Sequence, residues 1–189
     1  TKDVLSRFQK AAAECFSENI IRITADCPLI DPNLTSLIID EFLINDYQYI
    51  SNAYPPTFPD GLDVEIFTKT ILKECFEKCN NQLYREHVTP WMREQTKYKI
   101  GTFKSNIDYS EMRWTVDEPE DLDLIRFVVS KFGGKSDFSW LDVIDLEKKF
   151  PDNFKINKKF IRNEGFNMGT GQKLYKRAKK VIPGGNMLL

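Results

Sequence analysis

Twice in this chain a run of apolar and β-branched residues halts at an aspartate. Residues 20 to 32 read Ile-Ile-Arg-Ile-Thr-Ala-Asp-Cys-Pro-Leu-Ile-Asp-Pro, and residues 113 to 124 read Arg-Trp-Thr-Val-Asp-Glu-Pro-Glu-Asp-Leu-Asp-Leu. Each reads as a short buried strand that stops at Asp26 or at Asp117. The second turns straight into a helix, because Pro119 suits the first helical position and Leu122, Leu124, Ile125 and Val128 fall on one face before Gly133-Gly134. In open α/β sheets, ligands bind outside the carboxyl ends of the strands. Two strands that each bring an aspartate to that edge predict a divalent-cation site. Mg²⁺ suits it, because Mg²⁺ takes one or two carboxylates and completes its octahedron with water and substrate phosphates.

The rest of the chain keeps an alternating rhythm. Asp3 is placed to cap a helix whose apolar positions Val4, Leu5, Phe8, Ala12, Cys15 and Phe16 recur at helical spacing. Ile20 to Ala25 reads as a fully buried parallel strand. Asp31-Pro32 then reads as an N-cap followed by a first-turn proline, on a helix carrying Leu34, Leu37, Ile38 and Phe42. Tyr47 to Ser51 is the next strand, and this α-β-α-β order favours a parallel sheet with crossover helices. A loop with three prolines spans Tyr54 to Gly61. It is followed by a strand over Asp63 to Phe67, a helix over Lys69 to Cys79, a helix or helix-entering loop over Arg85 to Gln95, and a strand over Tyr98 to Phe103. Met112 to Val116 reads as the strand that delivers Asp117, and Trp140 to Phe150 as an amphipathic helix.

Composition removes several function classes. The formal charge of −1 comes from dispersed residues, so no basic footprint for nucleic acid is present. No run approaches the roughly 18 apolar residues of a membrane span, and the N-terminus has no signal-peptide pattern. Cys15, Cys27, Cys75 and Cys79 lack paired metal-ligand spacing and read as reduced core thiols, which favours a cytoplasmic protein.

The two aspartate motifs also resemble a known family. Thr24-Ala25-Asp26-Cys27-Pro28-Leu29 resembles the "GDxPL" element of sugar-acid cytidylyltransferases, and Val116-Asp117-Glu118-Pro119-Glu120-Asp121-Leu122 resembles their "VDTPEDL" element. Four further stretches resemble the SpsF subgroup, the spore-coat polysaccharide biosynthesis proteins related to acylneuraminate and KDO cytidylyltransferases. These are Asp3-Val4-Leu5-Ser6-Arg7-Phe8, Ser51-Asn52, Pro59-Asp60-Gly61-Leu62-Asp63-Val64-Glu65 and Arg85-Glu86-His87-Val88-Thr89-Pro90. Each motif is weak alone, but six in the family's order make a strong signal.

The resemblance implies a Rossmann-like nucleotide-diphospho-sugar transferase fold (GT-A-like), a three-layer α/β sandwich on a mostly parallel sheet. It also implies a Mg²⁺-dependent nucleotidyltransferase that converts CTP and a small sugar acid into CMP-sugar and pyrophosphate, for cell-surface or spore-coat polysaccharide synthesis. Asp26 and Asp117 occupy the family's metal-holding positions. Asp60, Gly61, Asp63 and Glu65 are expected to line the acceptor pocket, with Gly61 letting backbone approach the ligand and Asp63 and Glu65 sharing a strand face. Arg85 is expected to clamp a carboxylate or phosphate, His87 to bond the acceptor, Arg7 to reach the nucleotide and Asn52 to contact substrate. Bland readings stand beside these: Asp-Gly as an ordinary turn, His87 as a satisfied structural histidine, Arg22 as a locally paired strand residue, and each strand-end aspartate as a helix cap. Asp31 reads as a cap, and Glu118, Glu120 and Asp121 as first-turn acids favoured by the helix dipole. Glu118 departs from the family's threonine.

Family members open with a strand and a Gly-rich phosphate loop bearing Arg and Lys, whereas this chain opens at Thr1 in a helix. The first strand and phosphate loop are therefore expected to be missing from the domain spanning 1–165, and this stretch alone to be inactive. Residues 166–189 read as a linker and basic helix. Their Leu174-Tyr175-Lys176-Arg177-Ala178 through Ile182-Pro183-Gly184-Gly185 resembles the start of class III, pyridoxal-phosphate aminotransferases of the glutamate-1-semialdehyde type, or else is a solvated surface helix. A homodimer is compatible with all of this. The rival readings are an inactive fragment and a glycosyltransferase with a nucleotide-sugar donor. Asp26-Cys27-Pro28 in place of Asp-X-Asp counts against the glycosyltransferase.

Overall fold

The computed structural model describes residues 3–135, 137–160 and 162, which fall into two compact units. The first unit holds the residues up to Ile23, Ser36–Pro55 and Val64–Lys104. The second holds Thr24–Thr35, Pro56–Asp63 and the described residues from Ser105 onward. The boundary expected at residue 165 and the aminotransferase-like tail lie outside the described residues.

The first unit is built on a four-stranded sheet in the order β1-β3-β2-β4, from β1 (Asn19–Arg22), β2 (Tyr49–Ser51), β3 (Glu65–Thr68) and β4 (Ile100–Thr102). β2 and β4 are parallel, while β3 runs antiparallel to both β1 and β2. Three strands thus share one direction and β3 opposes them, so the sheet is mixed rather than mostly parallel. β1 also departs from the fully buried strand expected of its composition. Its residues alternate in exposure and Ile21 is 45 % exposed, because β1 ends the strand order and has one strand neighbour among the described residues.

Helix α1 (Val4–Glu14) starts where Asp3 accepts the Ser6 N–H at 2.9 Å. α3 (Lys69–Lys78), α4 (Gln82–His87) and α5 (Pro90–Arg93) follow β3. The helix expected over Arg85 to Gln95 is broken in two because Val88 adopts φ 70°, a conformation costly for a β-branched residue. Leu5, Tyr49, Phe67, Ile71, Leu72, Val88 and Met92 form the core of this unit, each less than 2 % exposed. Burying such a side chain contributes about 1.5–3 kcal/mol relative to leaving it in water. Of the cysteines read as core thiols, Cys75 and Cys79 are buried here, whereas Cys15 is exposed.

The second unit is helical and loop-rich, with α6 (Pro119–Lys131), α7 (Trp140–Lys149) and α8 (Pro151–Phe154). α2 (Pro32–Ile44) has its first turn here and the remainder in the first unit. Asp31 caps α2 as expected, taking the Leu34 N–H at 2.8 Å, and its second oxygen takes the Trp140 N–H at 2.9 Å. Gly133 and Gly134 end α6 with φ of 65° and 73°. Met112 to Val116 is not a strand. It makes one isolated parallel bridge, Asp60 to Arg113, with Trp114 N–H donating to Asp60 O at 2.6 Å. Beside this bridge Gly61, with φ of 106°, packs its backbone against that of Trp114 and Thr115. An added Cβ would lie 2.6 Å from Thr115 N. No described helix in either unit is long and apolar enough to cross a membrane.

Candidate active site, a carboxylate cluster around Arg113

Asp26 and Asp117 lie together in the second unit. A turn from Thr24 to Cys27 presents Asp26, and both the Val116 N–H (2.9 Å) and the Thr115 hydroxyl (3.1 Å) donate to its carbonyl. The motif before α6 is thereby clamped to the backbone of the first motif. The Cys27 thiol sits 3.5 Å from Asp26 Oδ1 as a donor, and burial, reinforced by the Asp26 charge, pushes its pKa up and keeps it a thiol. The Asp117 side chain is 32 % exposed. Burial and then the charge of Asp26 push its carboxyl above the usual carboxylate range, against the pull of Arg113.

Arg113, which sequence reasoning did not single out, organises this cluster. Its guanidinium is 8 % exposed and reaches three carboxylates. Nε and Nη2 donate to the two oxygens of Asp121 at 3.0 and 2.8 Å, Nη2 also donates to Asp117 Oδ2 at 2.9 Å, and Nη1 donates to Asp60 Oδ2 at 3.1 Å. Asp121 was read as a first-turn acid. It is fully buried, and besides Arg113 it accepts the Asn157 amide (2.8 Å) and the backbone N–H groups of Asp117 (3.0 Å) and Glu118 (2.9 Å). Burial works against its charge, but the bonds from Arg113 and Asn157 outweigh it and hold Asp121 below the usual range. The available clue was that Arg113 and Asp121 flank the Asp117 motif at spacings of four residues.

Asp60 and Asp63 complete the group. Arg162 bonds Asp63, lies 3.6 Å from Asp60 and donates to the Phe58 carbonyl at 3.0 Å. Even with Arg113 and Arg162 at hand, burial and the charges of Asp63 and Asp117 raise Asp60 to about 6. Gly61 has a conformational role different from the one expected, since the close approach it permits is to Trp114 and Thr115 of its own chain.

The remaining candidates fall in the first unit, where most have structural work. Glu65 is 3 % exposed and accepts from Tyr49 and Thr89 hydroxyls, each at 2.6 Å, and from Arg22. It belongs to β3, whereas Asp63 precedes that strand, so the shared strand face is absent. Asn52 is fully buried and its side-chain oxygen takes the Val64 N–H at 2.8 Å. Arg85 forks onto Asp3 at 2.9 and 2.8 Å and donates to the carbonyls of Phe76 and Cys79, which ties α1 to α3 and α4. Arg7 is partly buried on α1. His87 ends α4, and burial pulls its pKa down, helped by Arg22 and Arg93. Arg93 was another omission. It lies 3.4 Å over the Tyr54 ring, with a buried Nη1 that has no hydrogen-bond partner among the described residues.

Residues 1–132 match the model of the cytidylyltransferase family. The chain belongs to that family. It is 30 % identical over 155 residues to the spore coat polysaccharide biosynthesis protein SpsF of Bacillus subtilis, covering 79 % of this chain and 62 % of SpsF. An uncharacterized protein of Methanocaldococcus jannaschii is 26 % identical over 182 residues, 95 % of this chain and 69 % of its own. A solved cytidylyltransferase from Leptospira borgpetersenii superposes with a TM-score of 0.78 at 34 % identity, over 82 % of this chain and 66 % of that one. The chain thus spans a little under two thirds of SpsF and about two thirds of the other two. For this family member the structural likeness supports the Rossmann-like nucleotide-transferase fold expected from the motifs, with β3 as the strand that makes its sheet mixed.

Proposed function

We propose that this protein is a Mg²⁺-dependent nucleotidyltransferase that joins CTP to a small sugar acid, releasing pyrophosphate, in the synthesis of a cell-surface polysaccharide. Membership of the cytidylyltransferase family supports the reaction class, and one observation supports the placement of the site. In the second unit, Asp26, Asp60, Asp63 and Asp117 act on one another, and burial, followed by these like charges, holds both Asp60 and Asp117 above the ordinary range against the pull of Arg113 and Arg162.

Carboxylates grouped in this way suit a hard dication. No group of three or more His, Cys, Asp or Glu among the described residues forms a ready metal cage. Mg²⁺ needs fewer, since one or two carboxylates plus water and phosphate oxygens fill its sphere. Asp26 and Asp117 would hold it, and Arg113 occupies one oxygen of Asp117. When bound, such an ion neutralises charge on the transferring phosphate and on leaving pyrophosphate. The protein's own part is positioning. The bonds of Val116 and Thr115 to the Asp26 carbonyl hold the two motifs together, and Cys27 stays an uncharged donor beside Asp26. The reaction itself is carried out on dissolved substrates, and a cytoplasmic location accords with CTP as donor.

Pyrophosphate release from CTP, Mg²⁺ and a panel of sugar acids tests the proposal, with an Asp26→Asn, Asp117→Asn double variant run beside the protein. The expected result is release from a chain that also carries the family's opening strand and phosphate loop, and none above background from the same chain with both substitutions. Consumption of a preformed nucleotide sugar without pyrophosphate release from CTP would overturn it.

A further inference from the structure

Asp117 is not positioned by its own helix alone. Its backbone N–H is held by Asp121 Oδ2 at 3.0 Å, and its side-chain Oδ2 by Arg113 Nη2 at 2.9 Å. The same Nη2 bonds Asp121 Oδ2 at 2.8 Å, so Asp117 is gripped at both ends by one ion pair. That pair is itself fixed. Asn157, 1 % exposed, donates to Asp121 Oδ1 at 2.8 Å and to the Arg113 carbonyl at 3.0 Å. The third arm of the guanidinium goes to Asp60 at 3.1 Å. A planar fork with several donors can serve three carboxylates at once, whereas an ammonium serves one point.

We infer that Arg113, braced by Asp121 and Asn157, is a positioning residue that presents the free oxygen of Asp117 to the divalent cation. This inference rests on the metal reading above. Arg113 spends its charge on the partner that needs it least, Asp121, which already accepts three other donors. It therefore orients Asp117 through one oxygen, while the charge it brings is shared among three carboxylates. Partners behind a metal-binding carboxylate commonly change metal affinity about 10- to 100-fold when removed.

The test is Mn²⁺ binding to the metal-stripped protein, read by loss of the free-ion electron paramagnetic resonance signal, with no substrate and no turnover. Arg113→Lys is expected to raise the Mn²⁺ Kd at least tenfold. Asn157→Ser, which removes one brace but leaves the Arg113–Asp121 pair in place, is expected to raise it about threefold, below the roughly 10- to 100-fold range for direct outer-shell partners. Val128→Ala, a cavity in the α6 core (Val128 is 0 % exposed), supplies a comparable loss of Tm away from the cluster and is expected to leave the Kd unchanged. Unchanged affinity in folded Arg113→Lys, or equal weakening in Val128→Ala, overturns the positioning role while the metal reading stands. If Arg113→Lys fails to fold, Asn157→Ser decides alone, and wild-type affinity there overturns the role. The Asp26→Asn, Asp117→Asn double variant separates the two ideas. If it binds Mn²⁺ as well as wild type does, the metal reading and this inference fall together.

Discussion

Glu65 and Asp117 were both expected to face a ligand, and the protein treats them in opposite ways. Glu65, in the first unit, is 3 % exposed and receives Tyr49, Thr89 and Arg22. Asp117, in the second, keeps a third of its side chain in water, receives Arg113 on one oxygen, and carries the nearby charge of Asp26. A buried carboxylate whose acceptors are filled is part of the scaffold, because removing a partner leaves an uncompensated group that costs several kcal/mol. A carboxylate short of positive charge is unfinished chemistry, and such groups gather at functional sites. The two also differ in who supplies the partners. Those of Glu65 come from β1, β2 and the start of α5, so it reports on the packing of its sheet. Asp117 is held from within its own motif.

The sharpest way to break this contrast is to neutralise each group. Asp26→Asn with Asp117→Asn is expected to cut turnover at least a thousandfold, about 4 kcal/mol of transition-state stabilisation, while the thermal midpoint falls little or rises. Relief of like-charge repulsion is the reason for the second half. A loss of activity accompanied by a large drop in Tm would make these aspartates structural and erase the distinction.

Glu65→Gln should do the reverse. It keeps shape but removes the charge that Arg22 faces and unbalances the hydroxyl donors from Tyr49 and Thr89. A destabilisation of about 3 kcal/mol is expected from the urea midpoint, in the range for breaking a buried pair. Any folded fraction should bind Mn²⁺ like wild type. Weakened Mn²⁺ binding without loss of stability would return Glu65 to the site.

This contrast also explains what could be read from sequence. The positions of α1, α2, α6 and α7 were legible because capping residues (Asp3, Asp31), first-turn prolines, Gly133-Gly134 and, for α7, amphipathic spacing act locally. Asp26 and Asp117 were legible because each ends a motif of fixed order. The antiparallel insertion of β3 was not, since pairing partners are chosen by long-range packing and period-2 patterning is silent on direction. Nor was the half-exposed state of β1, because the run from Ile20 to Ala25 reads as apolar and β-branched, whereas the strand itself is Asn19–Arg22 and has a single strand neighbour among the described residues. Gly61 was recognised as a conformational residue but credited to a ligand. Arg113 escaped because its spacing of four from Asp117 was the one local sign, and its bond to Asp60 spans 53 residues. The structural bonds of Glu65 and Asn52 were hidden too, since their partners lie 12 or more residues away.

Asp60 lies between these extremes, and pH tests which way it leans. It has two arginines within reach, yet burial and the charges of Asp63 and Asp117 raise its carboxyl from 3.8 to about 6. A folded-state pKa above the unfolded one means the native protein binds the proton more tightly. The stability this contributes is complete below about 3.8 and is lost as pH rises through about 6. Asp60→Asn removes that dependence, since the amide is neutral throughout while its oxygen can still accept from Arg113. In metal-free buffer the variant is therefore expected to gain on wild type as pH rises from 4.5 to 7.5, by on the order of 2 kcal/mol. The comparison must be a difference between the two proteins. Asp121 and Asp3, both held below the usual range, lose stability in the opposite direction as pH falls, and they do so equally in each. Urea midpoints at four pH values suffice to measure it. If the gap instead stays flat, with Asp60→Asn less stable throughout, the two arginines outweigh burial, and Asp60 belongs with Glu65 in the scaffold. If the gap opens as expected, Asp60 belongs with Asp117, as a carboxylate whose charge burial and like-charged neighbours hold at a cost.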